Sequence, residues 1–220
     1  MSIKSNCYLI LSLITAIVIL TACFNQKTTV NKMYDVLENV VDSEKVFEEQ
    51  QEPLVTLEKN EKNIYDQIIG LGMKQYEQIV KLSDQASKMA DERKVHMEQE
   101  TISIKKSEKE FRKVANYKED FEDPALKKLA NELYDVMMKR YNTHDVLNKE
   151  YAEGIKNDKE LYVMFKNKNL PLGDLEAQVT KVNKTYEKIF AANESFNNLT
   201  EQYNEKKLAF YQKAGLKMKK

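Results

Sequence analysis

Turn-forming residues are scarce in this chain of 220 residues, which contains three prolines and five glycines. Average usage is roughly 5% proline and 7% glycine, so this chain has few turns and the elements between them must be long. Runs of β-branched residues are absent after residue 30, while Lys, Glu, Asn and Leu dominate. The composition therefore predicts a nearly all-α fold.

Cysteine is also scarce, and its placement excludes cysteine chemistry from most of the chain. Cys7 and Cys23 both lie near the N-terminus, so no structural disulfide and no cysteine-based zinc site can form downstream. His96 and His144 are not spaced as a metal pair, and neither completes the Glu-x-x-His motif of di-iron bundles. The sequence also lacks HExxH, GxSxG, Walker-loop and paired CxxC motifs. We therefore expect no enzyme activity, no catalytic residue, no metal and no cofactor.

An excess of charge of one sign is missing too, because 35 acidic residues balance 35 basic residues. Charged residues make up 32% of the chain, so the amount of charge is high although its sum is zero. Nucleic-acid-binding domains usually carry a clear excess of positive charge. We therefore expect no nucleic-acid partner.

The one long apolar run lies at the N-terminus and ends in a cysteine. Lys4 precedes the run, residues 8–20 read YLILSLITAIVIL, and the run closes with LTAC at residues 20–23. A charged start, an apolar middle and small residues at the end are typical of a secretory signal, and LTAC resembles the bacterial lipobox. That resemblance implies cleavage after Ala22 and attachment of diacylglycerol to Cys23.

Two other interpretations of this run remain open. An uncleaved transmembrane helix needs about 20 apolar residues, and the uncharged stretch 6–26 is just long enough. A buried core helix would need an amphipathic pattern, which the run lacks. The lipobox interpretation predicts a signal peptide at 1–22, a lipidated cysteine and tether at 23–29, and a folded domain at 30–220. It places the protein on the outer face of the cell membrane, with membrane lipid as its partner through Cys23.

Three breaks divide the body into four helical segments, because glycine and proline end long helices. The breaks are GLG at 70–72, EDP at 122–124 and LPLGD at 170–174. Heptad spacing is clearest in the last segment, from Leu175 to Ala214. Short connections predict an up-and-down antiparallel four-helix bundle, with an open array of two helical hairpins as the alternative. The predicted helices cover about 30–69, 73–121, 124–168 and 173–214.

Several residues interrupt the regular pattern. Pro53 lacks an N–H group and clashes with the carbonyl of residue 49, so we expect a kink near 49–52 or a full break. The stretch 91–100, DERKVHMEQE, is poor in apolar residues and is predicted to be exposed or loosely packed. Arg140 and His144 lie on the apolar stripe of the third segment, where they form either a structural polar layer or a functional site.

Tyrosine is abundant, with twelve residues, whereas tryptophan is absent. A tyrosine can pack its ring in a core with the hydroxyl at the rim, or it can stack on a sugar and donate a hydrogen bond. Core packing is the simpler interpretation, and a glycan-binding face is the alternative. Four tyrosines recur along the third segment, at Tyr134, Tyr141, Tyr151 and Tyr162.

An even number of helices would return the C-terminus to the anchored end of the bundle. A tether of about six residues reaches ~20 Å at most, so that end would lie beside the membrane. Lysines near an anionic surface contribute about 1 kcal/mol each, whereas an ordinary solvated helix end is the alternative explanation. The predicted basic patch comprises Lys213, Lys217, Lys219 and Lys220.

Several stretches resemble one protein family. These stretches are FEEQQEPLVTLE at 47–58, IYDQIIGLGMKQY at 64–76, KLSDQA at 81–86 and ELYDVMMKRY at 132–141. Together with the lipobox they are similar to the YkyA-type family of cell-wall-binding lipoproteins of Gram-positive bacteria. The resemblance spans residues 23 to about 215 and implies a four-helix bundle outside the cytoplasm. It brings no catalytic residues.

Three function classes follow from these observations. The preferred hypothesis is a non-enzymatic, lipid-anchored protein that binds peptidoglycan or another wall polymer. The second is a scaffold or adaptor that docks on a membrane-protein partner of envelope synthesis or sensing, and a continuous exposed apolar stripe on the second helix would favour it. The third is an enzyme or small-ligand binder, which a deep polar pocket would favour.

Overall fold

The computed structural model describes residues 28–71 and 75–216, and within these ranges the chain is helical without a β-strand. The bounds agree with the four predicted segments, except that the first segment is two helices and the second ends earlier than residue 121. A 3-10 helix, Arg112–Asn116, follows that earlier end. The described ranges contain five α-helices: α1 at 28–43, α2 at Lys45–Gly70, α3 at Tyr76–Phe111, α4 at Pro124–Phe165 and α5 at Leu172–Ala214.

Helices α1 and α2 form one rod with a turn at Glu44. The N–H of Glu44 still bonds to the carbonyl of Val40 at 3.1 Å, and its own carbonyl accepts the N–H of Glu48 at 3.1 Å. Pro53 lies inside α2, so the full break considered at this proline does not occur. The turn instead lies at a residue whose side chain bonds to other helices, as described below.

The rod keeps one antiparallel register with α3 on both sides of the turn. Before the turn, the Nδ2 of Asn39 donates to Glu110 at 3.3 Å. After the turn, the Nε2 of Gln51 donates to Glu100 at 3.0 Å. From the first pair to the second, the residue numbers rise along the rod and fall along α3. Both α1 and α2 therefore run antiparallel to α3 and extend in the same direction.

The ends of α4 and α5 follow ordinary capping chemistry. The Oδ1 of Asp123 accepts the N–H of Ala125 at 2.7 Å, and Pro124 occupies the first helical position. At the other boundary, Gly215 adopts φ 69°, and the N–H of Leu216 bonds to the carbonyl of Tyr211 at 2.9 Å. This is the Schellman arrangement that ends helices at glycine.

The N-terminal and C-terminal ends of the described chain lie side by side. The hydroxyl of Tyr211 donates to Glu38 at 2.8 Å, and the rings of Tyr34 and Tyr211 are 5.4 Å apart. The largest core cluster lies at this end and is built from α1, the end of α3, the start of α4 and the end of α5. All described core clusters begin at Val30 or later, so a fragment that starts at residue 24 retains them completely.

The bundle is closed at this end and opens towards the other end. Helix α5 packs on α4, α4 on α3, and α3 on α2. The rings of Phe47 and Phe196, 5.7 Å apart, bring the start of α2 against α5. Farther along, α2 and α5 separate and enclose a cleft. None of the helices in the described ranges has an apolar stretch long enough to cross a bilayer.

Candidate functional site

A cleft of about 470 Å³ lies between α2 and α5, in the half of the bundle away from residue 28. Its walls come from residues 51–66 of α2 and 179–193 of α5. Side chains of α3 and α4 form its floor. The volume is within the range of about 300–1,000 Å³ that is typical of small-ligand pockets.

Arg93 of α3 lies at the floor of the cleft and is 1% exposed. Its Nη1 donates to Glu61 at 2.8 Å and to Asp158 at 3.2 Å. Its Nε donates to the Tyr151 hydroxyl at 3.0 Å, and its Nη2 donates to the Tyr186 hydroxyl at 2.9 Å. One guanidinium therefore ties together side chains from α2, α4 and α5.

Three tyrosine hydroxyls of the floor each donate to a carboxylate. Burial raises the pKa of all three phenols, so they remain protonated donors. The Arg93 guanidinium also lies 4.9 Å from the centre of the Tyr151 ring and 6.0 Å from that of the Tyr186 ring. The bonded pairs are Tyr186 with Asp158 at 2.6 Å, Tyr151 with Glu58 at 2.6 Å and Tyr162 with Glu61 at 2.7 Å.

Negative charge exceeds positive charge in the cleft. Burial raises the pKa of Asp158 to about 6, although the bonds from Tyr186 and Arg93 oppose this effect. The nearby charge of Glu61 adds to this rise in the pKa of Asp158, because the two buried carboxylates share the Arg93 guanidinium. The lining contains the carboxylates Glu58, Glu61, Asp66, Glu100 and Asp158 and the cations Lys62 and Arg93.

Two exposed apolar side chains lie at the mouth of the cleft. Val55 on α2 is 63% exposed, and Phe190 on α5 is 66% exposed. The ring of Phe190 lies 6.2 Å from that of Tyr186, whose hydroxyl reaches the floor. The cleft therefore has exposed apolar surface at its rim and hydrogen-bonding groups below.

Arg140 belongs to a polar layer outside the cleft. Its Nη1 and Nη2 donate to the two carboxylate oxygens of Glu44 at 2.8 and 2.9 Å, and its Nε donates to Thr200 at 2.8 Å. The guanidinium lies 4.5 Å from the centre of the Phe196 ring. These contacts join the turn of the α1–α2 rod to α4 and α5, which fits the structural interpretation of Arg140.

His144 lies one turn farther along α4 and is fully buried. Its Nε2 is 3.0 Å from Glu100, which also lines the cleft. Within the described part of the chain, its Nδ1 has no hydrogen-bond partner. His96 is half-buried, with its Nδ1 2.7 Å from the side-chain oxygen of Gln50. In the described ranges, no group of three or more His, Cys, Asp or Glu side chains is arranged to hold a metal ion.

The four tyrosines of α4 all pack in or against core clusters, and two of them also line the cleft. Tyr134 stacks on Phe111 at 5.7 Å, and Tyr141 is buried with its hydroxyl 2.7 Å from that of Ser107. Both belong to the core at the closed end of the bundle. The other two tyrosines, Tyr151 and Tyr162, belong to the cleft floor.

The expectation that residues 91–100 would be exposed or loosely packed holds for most of the stretch but is wrong at its three buried positions. Arg93, Met97 and Glu100 recur at helical spacing and are all buried. The arginine is satisfied by acids that lie on other helices, which a composition count along one helix does not reveal. Its spacing with Met97 and Glu100 is the sequence pattern that could have identified it.

One predicted site residue, Lys213, lies within the described part of the chain. Its Nζ pairs with Asp123 at 3.2 Å, at the start of α4. This contact and a backbone hydrogen bond hold the pKa of the Asp123 carboxyl below its ordinary value, with the backbone N–H of Ala125 as the larger cause. The remaining predicted residues, Ala22, Cys23, Lys217, Lys219 and Lys220, lie outside the described residues.

Comparison with known proteins decides the family. Residues 28–213 match the model of the YkyA family, which is described as "Putative cell-wall binding lipoprotein". The chain belongs to the YkyA family. A relative from Bacillus subtilis (strain 168), "Uncharacterized lipoprotein YkyA", is 37% identical over 202 residues, which span 92% of this chain and 90% of the relative. The resemblance noted in the sequence is thereby confirmed.

A solved structure supports the fold of this YkyA-family chain. A crystal structure of a conserved protein of unknown function from Staphylococcus aureus matches with a TM-score of 0.74 at 18% identity. The match covers 86% of this chain and 95% of that chain. At this identity the likeness shows the fold alone, and it confirms the predicted helical bundle.

Proposed function

We propose that this protein is a non-enzymatic, lipid-anchored protein of the outer face of the cell membrane, and that it binds a cell-wall glycan in the α2–α5 cleft. The observation that carries the proposal is the combination of an exposed apolar rim, which includes the ring of Phe190, and a floor of tyrosine hydroxyls and carboxylates. The description of the family as cell-wall binding supports the same class of ligand.

The chemistry of the cleft suits a sugar ring. A pyranose has apolar C–H faces and a polar edge of hydroxyls, so it needs both kinds of surface at once. Phe190 and Tyr186 offer ring surface to the C–H faces. Asp158 and Glu58 each have one carboxylate oxygen that accepts no hydrogen bond from the described residues. These oxygens can accept hydrogen bonds from sugar hydroxyls.

Anchoring through Cys23 would place the cleft away from the bilayer. The lipobox and the short tether put the membrane next to the end where α1 begins. At 1.5 Å per residue, the α1–α2 rod holds Glu61 about 50 Å beyond residue 28. A binding site at that height suits a polymer that lies outside the membrane.

The anchoring is tested with Cys23→Ala in the intact chain. We expect the unprocessed precursor to accumulate without incorporation of a labelled fatty acid, because the thiol is the lipid acceptor. A substitution of the other cysteine, Cys7→Ala, is the matched control and should be processed and lipidated normally. Normal lipid labelling of the Cys23→Ala chain would contradict the lipobox assignment.

Wall binding is tested by sedimenting the fragment 24–220 with insoluble peptidoglycan at low salt. We expect the fragment to sediment with the wall material and Phe190→Ala to bind several-fold more weakly. Leu172→Ala is the matched control, because Leu172 is 69% exposed on the same helix but lies outside the cleft. A fragment that stays in the supernatant would contradict the proposal.

The adaptor hypothesis has a smaller basis on the surface of α3. Val95 is 51% exposed and Ile102 is 69% exposed, and their spacing of seven residues puts them on one face. Two side chains do not make the continuous apolar stripe that this hypothesis predicts. If the wall pull-down fails, this α3 face becomes the better candidate for binding a membrane-protein partner.

A further inference from the structure

The cavity between α2 and α5 has more negative charge than its buried cation can balance. Arg93 divides its guanidinium between Glu61 and Asp158, at 2.8 and 3.2 Å. Both oxygens of Glu61 already accept a bond, the second from the Tyr162 hydroxyl at 2.7 Å. Asp158 instead receives its described bonds on Oδ2, which leaves Oδ1 as an open acceptor.

Glu58 adds a second open acceptor on the α2 wall. Its Oε1 accepts the Tyr151 hydroxyl at 2.6 Å, whereas its Oε2 has no bond from the described residues. The other cation of the lining, Lys62, does not offset this charge, because its Nζ pairs with Asp66 at 2.6 Å on the exposed rim. Both residues line the cleft. Asp158 shares Arg93 with Glu61, and no cation among the described residues pairs with Glu58.

We infer that the glycan bound in the cleft carries a free amine, whose ammonium lies against Asp158 and Glu58 while the sugar ring stacks on Tyr186 and Phe190. This inference rests on the proposed function and specifies its ligand. An ammonium supplies charge-assisted hydrogen bonds to carboxylates and is attracted to aromatic faces. An N-acetylated sugar brings a neutral amide at the same position and leaves the excess negative charge unbalanced.

The test compares two tetrasaccharides, one of glucosamine and one of N-acetylglucosamine, by calorimetry with the fragment 24–220 at about pH 6.5. We expect the glucosamine tetramer to bind about tenfold to a hundredfold more tightly, as for a hydrogen bond to a charged group. Asp158→Asn should reduce this preference about tenfold. Asp135→Asn, an exposed aspartate of the same helix outside the cleft, should leave it unchanged.

The remaining outcomes separate this inference from the proposed function. Equal affinity for both tetramers would overturn the inference and leave glycan binding in place. A fragment that sediments with wall material but binds neither tetramer would also overturn the inference and leave glycan binding in place. A fragment that binds neither the wall material nor either tetramer would overturn both the inference and the proposed function. Tetralysine is the probe for charge alone, and binding of tetralysine as tight as that of the glucosamine tetramer would overturn the assignment of an amino sugar.

Discussion

Replacing Asp158 by asparagine should stabilise the fold at neutral pH, although the replacement removes a charge bonded to Arg93. Burial is the main cause that raises the pKa of Asp158 from 3.8 to about 6 in the folded state. A carboxyl with a raised pKa holds its proton more tightly when folded, so its contribution to stability is present below about pH 4 and is lost as the pH rises through 6. At 1.36 kcal/mol per pKa unit, the loss is about 3 kcal/mol.

Asparagine reproduces the neutral form of this side chain at every pH. Its amide oxygen can accept the bonds from Tyr186 and Arg93, and its NH₂ group takes the place of the oxygen that has no described bond. We therefore expect Asp158→Asn to be more stable than the unmodified chain by about 1–3 kcal/mol at pH 7.5, and to be nearly equal at pH 4. A binding site would contain such a residue, whose charged form lowers the stability of the fold.

Urea unfolding of the fragment 24–220, followed by far-ultraviolet circular dichroism at both pH values, measures this difference. Asp135→Asn is the control, because an exposed aspartate should change stability by less than about 0.5 kcal/mol at either pH. A loss of stability of more than about 1 kcal/mol in Asp158→Asn at pH 7.5 would contradict this prediction. It would mean that the ion pair with Arg93 outweighs the cost of burying the carboxylate.

Two further predictions concern the buried ion pairs. Arg93→Met leaves Glu61 and Asp158 without their cation, so unfolding by urea should show a loss of about 3–5 kcal/mol at pH 7.5. The loss should be smaller at pH 5, where protonation of Asp158 removes one of the two charges. A loss independent of pH would contradict this. Glu44→Ala strands the buried Arg140 and should cost about 3 kcal/mol in the same assay, whereas Glu44→Gln should cost less. Equal losses for the two Glu44 variants would argue against a charge effect.

The helical segments were predictable because their boundaries depend on local chemistry. Proline at residue 124 and glycine at residue 215 act through the backbone of a single turn, so the start of α4 and the end of α5 agree with the prediction. The turn at Glu44 was not predictable in this way. It coincides with bonds to Arg140 and Ser107, which are distant in sequence.

The cleft was not predictable from periodicity. Val179 and Val182 lie on the apolar stripe of α5, yet both are only half-buried because they line the cleft and α2 does not cover them. A heptad stripe indicates which face of a helix turns inward, but it does not show whether another helix covers that face. The burial of Arg93 was not predicted for a related reason, since its acidic partners, Glu61 and Asp158, lie on two other helices.

Nuclear magnetic resonance of the isotope-labelled fragment 24–220 measures directly whether a wall glycan binds between α2 and α5. Soluble glycan fragments released from peptidoglycan are titrated into the labelled protein. We expect saturable chemical-shift changes confined to residues around the cleft, with those of Val55, Tyr186 and Phe190 among the largest. Shifts concentrated at Val95 and Ile102 on the outer face of α3, or no shifts at millimolar glycan, would contradict it.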